Sequence, residues 1–245
     1  MPLIAQSKAL ARLLDEAVFE HAWPGAVLAV GRHDGDLIVQ ASGFHTYERK
    51  RVTRIDDVFD LASLTKVIAT TTSVQRLVDA GELALDDHVG DYVPAFVAAG
   101  LSDLALRRAV TVTHLLTHTA GLPAWLPLFR WDGDLGPRLA RLCATPLEAA
   151  PGERVVYSDI GFMVLGMVVE AVSGKGLDAC FQSLVAAPLG LSHMTCFQPG
   201  VSLLPRIVPT ERVSDAREAF VHGRVHDENA AALAGVAGHA GLFSC

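Results

Sequence analysis

Phe59-Asp60-Leu61-Ala62-Ser63-Leu64-Thr65-Lys66 runs into the start of a helical pattern, and it sets the reading of everything around it. Ser63 stands at the helix N-terminus and Lys66 follows three residues later over the same face, which brings an amine beside a hydroxyl. A serine is a poor nucleophile at its own pKa. A nearby desolvated lysine can take its proton, and a helix N-terminus favours the negative charge that develops. Twelve serines and four lysines in 245 residues give ~0.2 chance matches to Ser-x-x-Lys. The spacing alone therefore leaves open an N-cap serine beside a solvated lysine.

Downstream of Lys66 the patterns are mostly helical. Residues 65–80 end at Gly81, 113–119 at Gly121, 159–172 at Gly174, and 177–187 at Pro188-Leu189-Gly190. Upstream, Leu10, Leu13, Leu14, Ala17 and Val18 follow helical spacing until Trp23-Pro24-Gly25 stops it. Residues 26–32 and 36–42 flank His33-Asp34-Gly35 and predict a hairpin. The fold class is α/β in the broad sense and α+β by element order. Residues 1–245 read as a single domain, with a helix and hairpin in 1–60 and a mainly helical region in 61–245. A two-stranded hairpin is marginal on its own and leaves open edges, so the sheet is expected to need further strands.

The charge balance of 20 Lys+Arg against 27 Asp+Glu gives −7, and 51% hydrophobic with 19% charged residues is a globular composition. Whole-chain disorder is excluded. The acidity is mild and no basic run occurs, so neither nucleic acid nor anionic lipid is an expected partner. The opening Met1-Pro2-Leu3-Ile4-Ala5-Gln6-Ser7-Lys8 lacks a basic segment followed by an apolar one, and no export signal is read there. The most apolar stretch, 160–172, is shorter than the roughly 20 residues of a membrane span and reads as a buried helix. Cys143, Cys180, Cys196 and Cys245 show neither zinc-site spacing nor the density of a disulfide scaffold, so the cytoplasm is the expected compartment.

A second candidate is Tyr157-Ser158-Asp159, which follows the turn Pro151-Gly152-Glu153 and precedes an apolar helix. A phenol near a helix N-terminus has its ionised form favoured, although a core tyrosine beside a Ser or Asp cap gives the same pattern. His114 and His118 are four apart, but Leu115 stands where a zinc-hydrolase motif has Glu, and helix packing is the better reading. No metal is expected. Trp125, Phe129 and Trp131 fit a pocket wall and loop packing equally.

Ser63-Leu64-Thr65-Lys66, the run from Val112 through His114-Leu115-Leu116-Thr117-His118-Thr119-Ala120-Gly121-Leu122-Pro123, and Tyr157-Ser158-Asp159-Ile160-Gly161-Phe162, in that order, resemble the serine β-lactamase-related family. That family includes class C β-lactamases, low-molecular-mass penicillin-binding proteins, D-aminopeptidases and family VIII-like carboxylesterases. The stretches 225–230 and 235–244 are similar to a glycine-rich segment of its penicillin-binding-protein-like members, so the resemblance spans essentially the whole chain. It implies a β-lactamase/transpeptidase-like fold, an antiparallel sheet flanked by helices plus a helical subdomain. It also implies acyl transfer through an acyl-serine without cofactor: Ser63 as nucleophile, Lys66 and Tyr157 sharing proton transfer, and the Ser63 N–H as half of an oxyanion hole. Asp159 falls at a substrate-binding position where many members carry Asn; a carboxylate there accepts hydrogen bonds but donates none.

The substrate implied is a small ester, peptide or β-lactam. Esterase or peptidase action is preferred, because a β-lactamase guarding the cell wall is exported. Members carry a third motif on a later strand, and none is found here; His239-Ala240-Gly241 fits the glycine-rich segment better. Together with the unfinished hairpin sheet, this gives the expectation that C-terminal strands are missing. The rival reading is accordingly a catalytically incompetent truncated fragment, or a domain whose sheet is completed by a partner chain.

Overall fold

The computed structural model describes residues 3–33, 35, 37–213 and 220–245, with side chains placed from residue 7 onward. Its elements are helices α1 (Leu3–Phe19), α2 (Thr72–Asp79), α3 (Val89–Tyr92), α4 (Leu104–Arg107), α5 (Val112–Leu116), α6 (Leu135–Cys143), α7 (Asp159–Ser173), α8 (Leu177–Phe181) and α9 (Glu228–Ala232). The strands are β1 (Gly25–Gly31), β2 (Leu37–Gly43), β3 (Phe59–Asp60), β4 (Cys196–Phe197) and β5 (Leu242–Ser244). The chain divides into two compact units, one of 1–59 with 200–223 and residue 245, the other of 60–199 with 224–244.

In the first unit, β1 and β2 pair antiparallel from Gly25↔Gly43 to Gly31↔Leu37, within one residue of the hairpin read from the alternation. Asp34 and Asp36, at the expected turn, lie outside the described residues. Helix α1 packs on β2, where Gln40 Nε2 donates to the Ser7 carbonyl at 2.9 Å and Ser42 Oγ donates to Asp15 at 2.5 Å. Among the described residues the sheet of β1 and β2 has these two strands alone. The backbone of 206–208 belongs to this unit, because Val58 N–H donates to the Arg206 carbonyl and Val208 N–H to the Val58 carbonyl, each at 2.8 Å. A split of the sequence at residue 60 leaves this return segment on the wrong side, since nothing local in 200–223 announces a partner about 150 residues earlier.

The second unit is organised around α7. Ile160, Val164, Leu165, Val168 and Val169 are wholly buried, as an all-round apolar helix requires. Ser158 caps it, its Oγ accepting the Gly161 N–H at 3.0 Å and donating to the Pro123 carbonyl at 2.6 Å. Gly174, left-handed at φ 64°, ends it. Among the described residues no single helix is long and apolar enough to cross a membrane.

Four local readings change, and one is the helix expected over 177–187, which passes from α8 into a π-helical turn, Gln182–Ala186. The helix expected over 65–80 begins with a π-helical turn, Lys66–Thr71, before α2. The pattern over 113–119 yields only the five residues of α5, because His118 takes a left-handed φ of 60°. A strand also follows the glycine-rich stretch where none is read from sequence. β5 pairs antiparallel with β4, Cys196 opposite Phe243, and it forms because Leu242 and Phe243 are buried rather than because three residues carry a period.

Candidate active site

Asp60 prepares the turn that presents Ser63. Its Oδ1 accepts the Ala62 N–H at 2.8 Å and its Oδ2 the His226 N–H at 2.8 Å. Ala62 is held at φ 45°, a left-handed conformation unfavourable for a residue with a Cβ. The Lys66 N–H then closes on the Ser63 carbonyl at 3.1 Å, while the Ser63 N–H donates to no carbonyl among the described residues. Ser63 is exposed and Lys66 is buried, so the two ends of the motif meet at the surface of the unit from opposite sides.

The Lys66 ammonium has three protons and meets three oxygens. Nζ donates to Ser63 Oγ at 2.9 Å and to the His239 carbonyl at 3.1 Å, and forms an ion pair with Asp159 Oδ1 at 2.7 Å. The first two contacts are hydrogen bonds, and the third is an ion-pair approach without hydrogen-bond alignment at Asp159 Oδ1. Nζ also lies 4.8 Å from the centroid of the Tyr157 ring and 5.9 Å from that of Phe162. Tyr157 itself is 55% exposed, so it is not the core tyrosine that its sequence setting also allowed.

His118 stands behind Tyr157. Its ring centroid is 4.5 Å from that of Tyr157 and 5.0 Å from that of Phe162, and its Nδ1 accepts the Ser158 N–H at 3.0 Å. Burial first, then the positive charge of Lys66, hold the imidazole below its ordinary pKa, against the opposing pull of Asp159. The site thus gathers all four residues singled out from the sequence, Ser63, Lys66, Tyr157 and Asp159. Asp159, expected at the substrate, has its Oδ1 committed to Lys66. His118, read from spacing as a packing residue, touches the site directly. His114 instead closes a capping box, Nδ1 accepting the Thr111 N–H at 3.0 Å. Among the described residues no group of three metal-ligating side chains converges.

The glycine-rich stretch is stitched onto the Lys66 helix. Thr70 Oγ1 donates to the Gly238 carbonyl at 2.7 Å, Thr65 Oγ1 accepts the Leu242 N–H at 3.1 Å, and Leu61 N–H donates to the Leu242 carbonyl at 2.9 Å. Residue 238 must be glycine, since a Cβ there would lie 2.0 Å from the Phe162 carbonyl oxygen. The His239 ring is 1% exposed, so it does not line the Ser63 surface as a third-motif side chain would. No spacing rule reaches these residues, which lie roughly 170 positions beyond Lys66.

The family profile described as Beta-lactamase matches residues 10–245. This chain belongs to the beta-lactamase family. A putative D-alanyl-D-alanine carboxypeptidase of Escherichia coli strain K12 is 32% identical over 251 residues, which takes in 94% of this chain and 55% of the relative. Among solved structures, EstCE1, a hydrolase with promiscuous acyltransferase activity, superposes with a TM-score of 0.78 at 27% identity, over 99% of this chain and 70% of that one. A class C beta-lactamase from Rhodobacter sphaeroides gives a TM-score of 0.74 at 25% identity, over 98% of this chain and 62% of that one. The chain spans about half the length of the curated relatives it matches. Membership in the beta-lactamase family accounts for the mixture of helices with antiparallel strands around Ser63 and Lys66.

Proposed function

We propose that this chain is a serine hydrolase that cleaves a small ester or amide through an acyl-Ser63 intermediate. The observation that carries the reading is the 2.9 Å contact between Lys66 Nζ and Ser63 Oγ at an exposed turn of the second unit. Lys66 first gives one of its three protons to solvent; Ser63 Oγ then attacks the substrate carbonyl carbon as its proton passes to the amine so formed, with Tyr157 beside it in the same relay. The negative charge on the former carbonyl oxygen is met by the uncommitted Ser63 N–H. The proton returns to the leaving oxygen or nitrogen as that bond breaks; water then attacks the acyl-serine and regenerates Ser63. The relatives support an acyl-transferring hydrolase, one being called a putative D-alanyl-D-alanine carboxypeptidase and another a hydrolase with promiscuous acyltransferase activity. Asp159 favours esters and donor-bearing peptides over β-lactams in this reading, because a carboxylate paired with Lys66 has no N–H to offer an acylamino carbonyl. The cytoplasm belongs to the same reading, supported by the buried free thiols of Cys143 and Cys180.

The test is intact mass spectrometry after exposure to a fluorophosphonate probe, followed by turnover of p-nitrophenyl esters, D-alanyl peptides and nitrocefin. A single adduct that disappears in Ser63→Ala is the expected result. Full hydrolysis by Ser63→Ala would overturn the assignment, and nitrocefin turnover above ester turnover would overturn the substrate preference.

A further inference from the structure

Residue 239 makes two connections through two different parts. Its backbone carbonyl accepts from Lys66 Nζ at 3.1 Å, and its ring Nε2 bonds Asp227 Oδ1 at 2.8 Å. The same Asp227 oxygen accepts the Ala230 N–H at 2.7 Å and so caps α9. The other ring nitrogen, Nδ1, is buried with no hydrogen-bond partner among the described residues, so a single bond orients the imidazole. Burying an imidazole half-satisfied costs free energy that packing alone does not require, since a small apolar side chain at 239 would fill space without it.

We propose that Asp227 and His239 are a positioning pair for Lys66. The carboxylate fixes the imidazole, the imidazole fixes the backbone of residue 239, and the carbonyl of residue 239 fixes Lys66 Nζ beside Ser63. The proposal rests on the role assigned above to Lys66. It has support in the ionisation of Asp227: burial pushes that carboxyl up, but the hydrogen bond and charge of His239, the Ala230 N–H and the charge of Lys66 outweigh it and leave the group below its ordinary value. Among the described residues, the other polar and titratable groups facing Lys66 are Ser63 on its own turn, Asp159 at the start of α7, and Tyr157 and His118 from the two preceding loops. The pair supplies the contact from the glycine-rich segment, which none of those residues can replace.

The test uses the whole chain with lysines carrying carbon-13 and nitrogen-15, in which Lys8, Lys50, Lys66 and Lys175 are the complete set and Lys66→Arg assigns the site. The Cε and Nζ resonances of Lys66 are expected to move in His239→Ala and in Asp227→Asn while those of the other three lysines stay. They are expected to return in His239→Gln, whose amide N–H can take the place of Nε2. Asp227→Asn keeps an oxygen to cap α9, so it remains informative if His239→Ala fails to fold. In parallel, fluorophosphonate labelling of Ser63 is expected to slow about ten- to a hundredfold in His239→Ala, as for a small misplacement of a reacting group, and to recover in His239→Gln. Lys66 resonances left at their wild-type positions in the folded variants would overturn the pair, as would a His239→Gln protein no better than His239→Ala. Failure of the wild-type chain to label at all would instead overturn the hydrolase reading, with the lysine resonances still deciding on the pair.

Discussion

Lys66 Nζ lies 2.7 Å from Asp159 Oδ1, and only 3% of the lysine side chain is exposed, so the amine facing Ser63 is tied to the first residue of α7. The pair joins the first residue of the π-helical turn Lys66–Thr71 to the first residue of α7.

Removing the carboxylate without replacing its oxygens leaves a buried cation unpaired. Asp159→Leu is therefore expected to cost ~3 kcal/mol in urea unfolding and to abolish fluorophosphonate labelling, the usual scale for breaking a buried ion pair. Asp159→Asn keeps an acceptor for Lys66 and is expected to lose clearly less of both. Equal losses in the two variants would show that the contact does not hold Lys66.

His118 is expected to make the site acid-sensitive. Its Nδ1 must be unprotonated to accept the Ser158 N–H, and burial and Lys66 place its folded pKa below the ordinary 6.5. A histidine with a depressed folded value contributes stability that is complete above its unfolded pKa and is lost as the pH falls through 6.5 toward the folded value. The His118 ring resonance is expected to titrate below 6.5, with Ser63 labelling falling over the same range. His118→Asn, whose side-chain oxygen accepts the same N–H, is expected to flatten that limb; an unchanged acid limb in this variant would contradict the assignment.

Gly238→Ala tests the seat of the glycine-rich segment. The added Cβ would stand 2.0 Å from the Phe162 carbonyl oxygen, a backbone atom that cannot swing aside, so the segment must lift from α7. A loss of ~2 kcal/mol or more is expected from overpacking alone. Gly136→Ala in α6 meets nothing within 4 Å and is the control; its thermal midpoint is expected to hold or rise slightly, since alanine is the better helix former.

Arg107 is wholly buried and braces the helical unit. Its Nε donates to Asp103 at 2.6 Å, and its other nitrogens reach the carbonyls of Phe96, Cys143 and Thr145. Arg107→Met is expected to cost ~3–5 kcal/mol in urea unfolding, because three carbonyls and one carboxylate lose their donor together. The Asp103 carboxyl is pushed up by burial but held lower overall by the Arg107 hydrogen bond, the Leu147 N–H and the guanidinium charge. Its contribution is therefore present above the unfolded value of 3.8 and lost as acid protonates it. The gap between wild type and Arg107→Met is expected to narrow below pH 4; a gap independent of pH would mean that Asp103 takes no part in it.

Local rules reached α1, the hairpin and α7 because each is written in a period of its own residues and closed by its own stop, Trp23-Pro24-Gly25 or Gly174. They paired Ser63 with Lys66 because the two share one helical turn, whereas Tyr157 and Asp159, which a helix cap explains equally well, were singled out only through the family resemblance. They missed the return of 206–208 to Val58, the three-residue strand β5, and the part played by His118, since each depends on a partner far along the chain.

The amino-acid sequence by itself determined the family and the helical scaffold, and it singled out Ser63 with Lys66 as the candidate nucleophile and its neighbouring amine. Only the tertiary structure decided what surrounds that amine: a carboxylate from α7, a carbonyl from a segment 173 residues away, and the buried Asp227–His239 pair behind it. The reason is physical. A buried charge is set by every group that replaces its lost water, and those groups come together by packing, which no local spacing records.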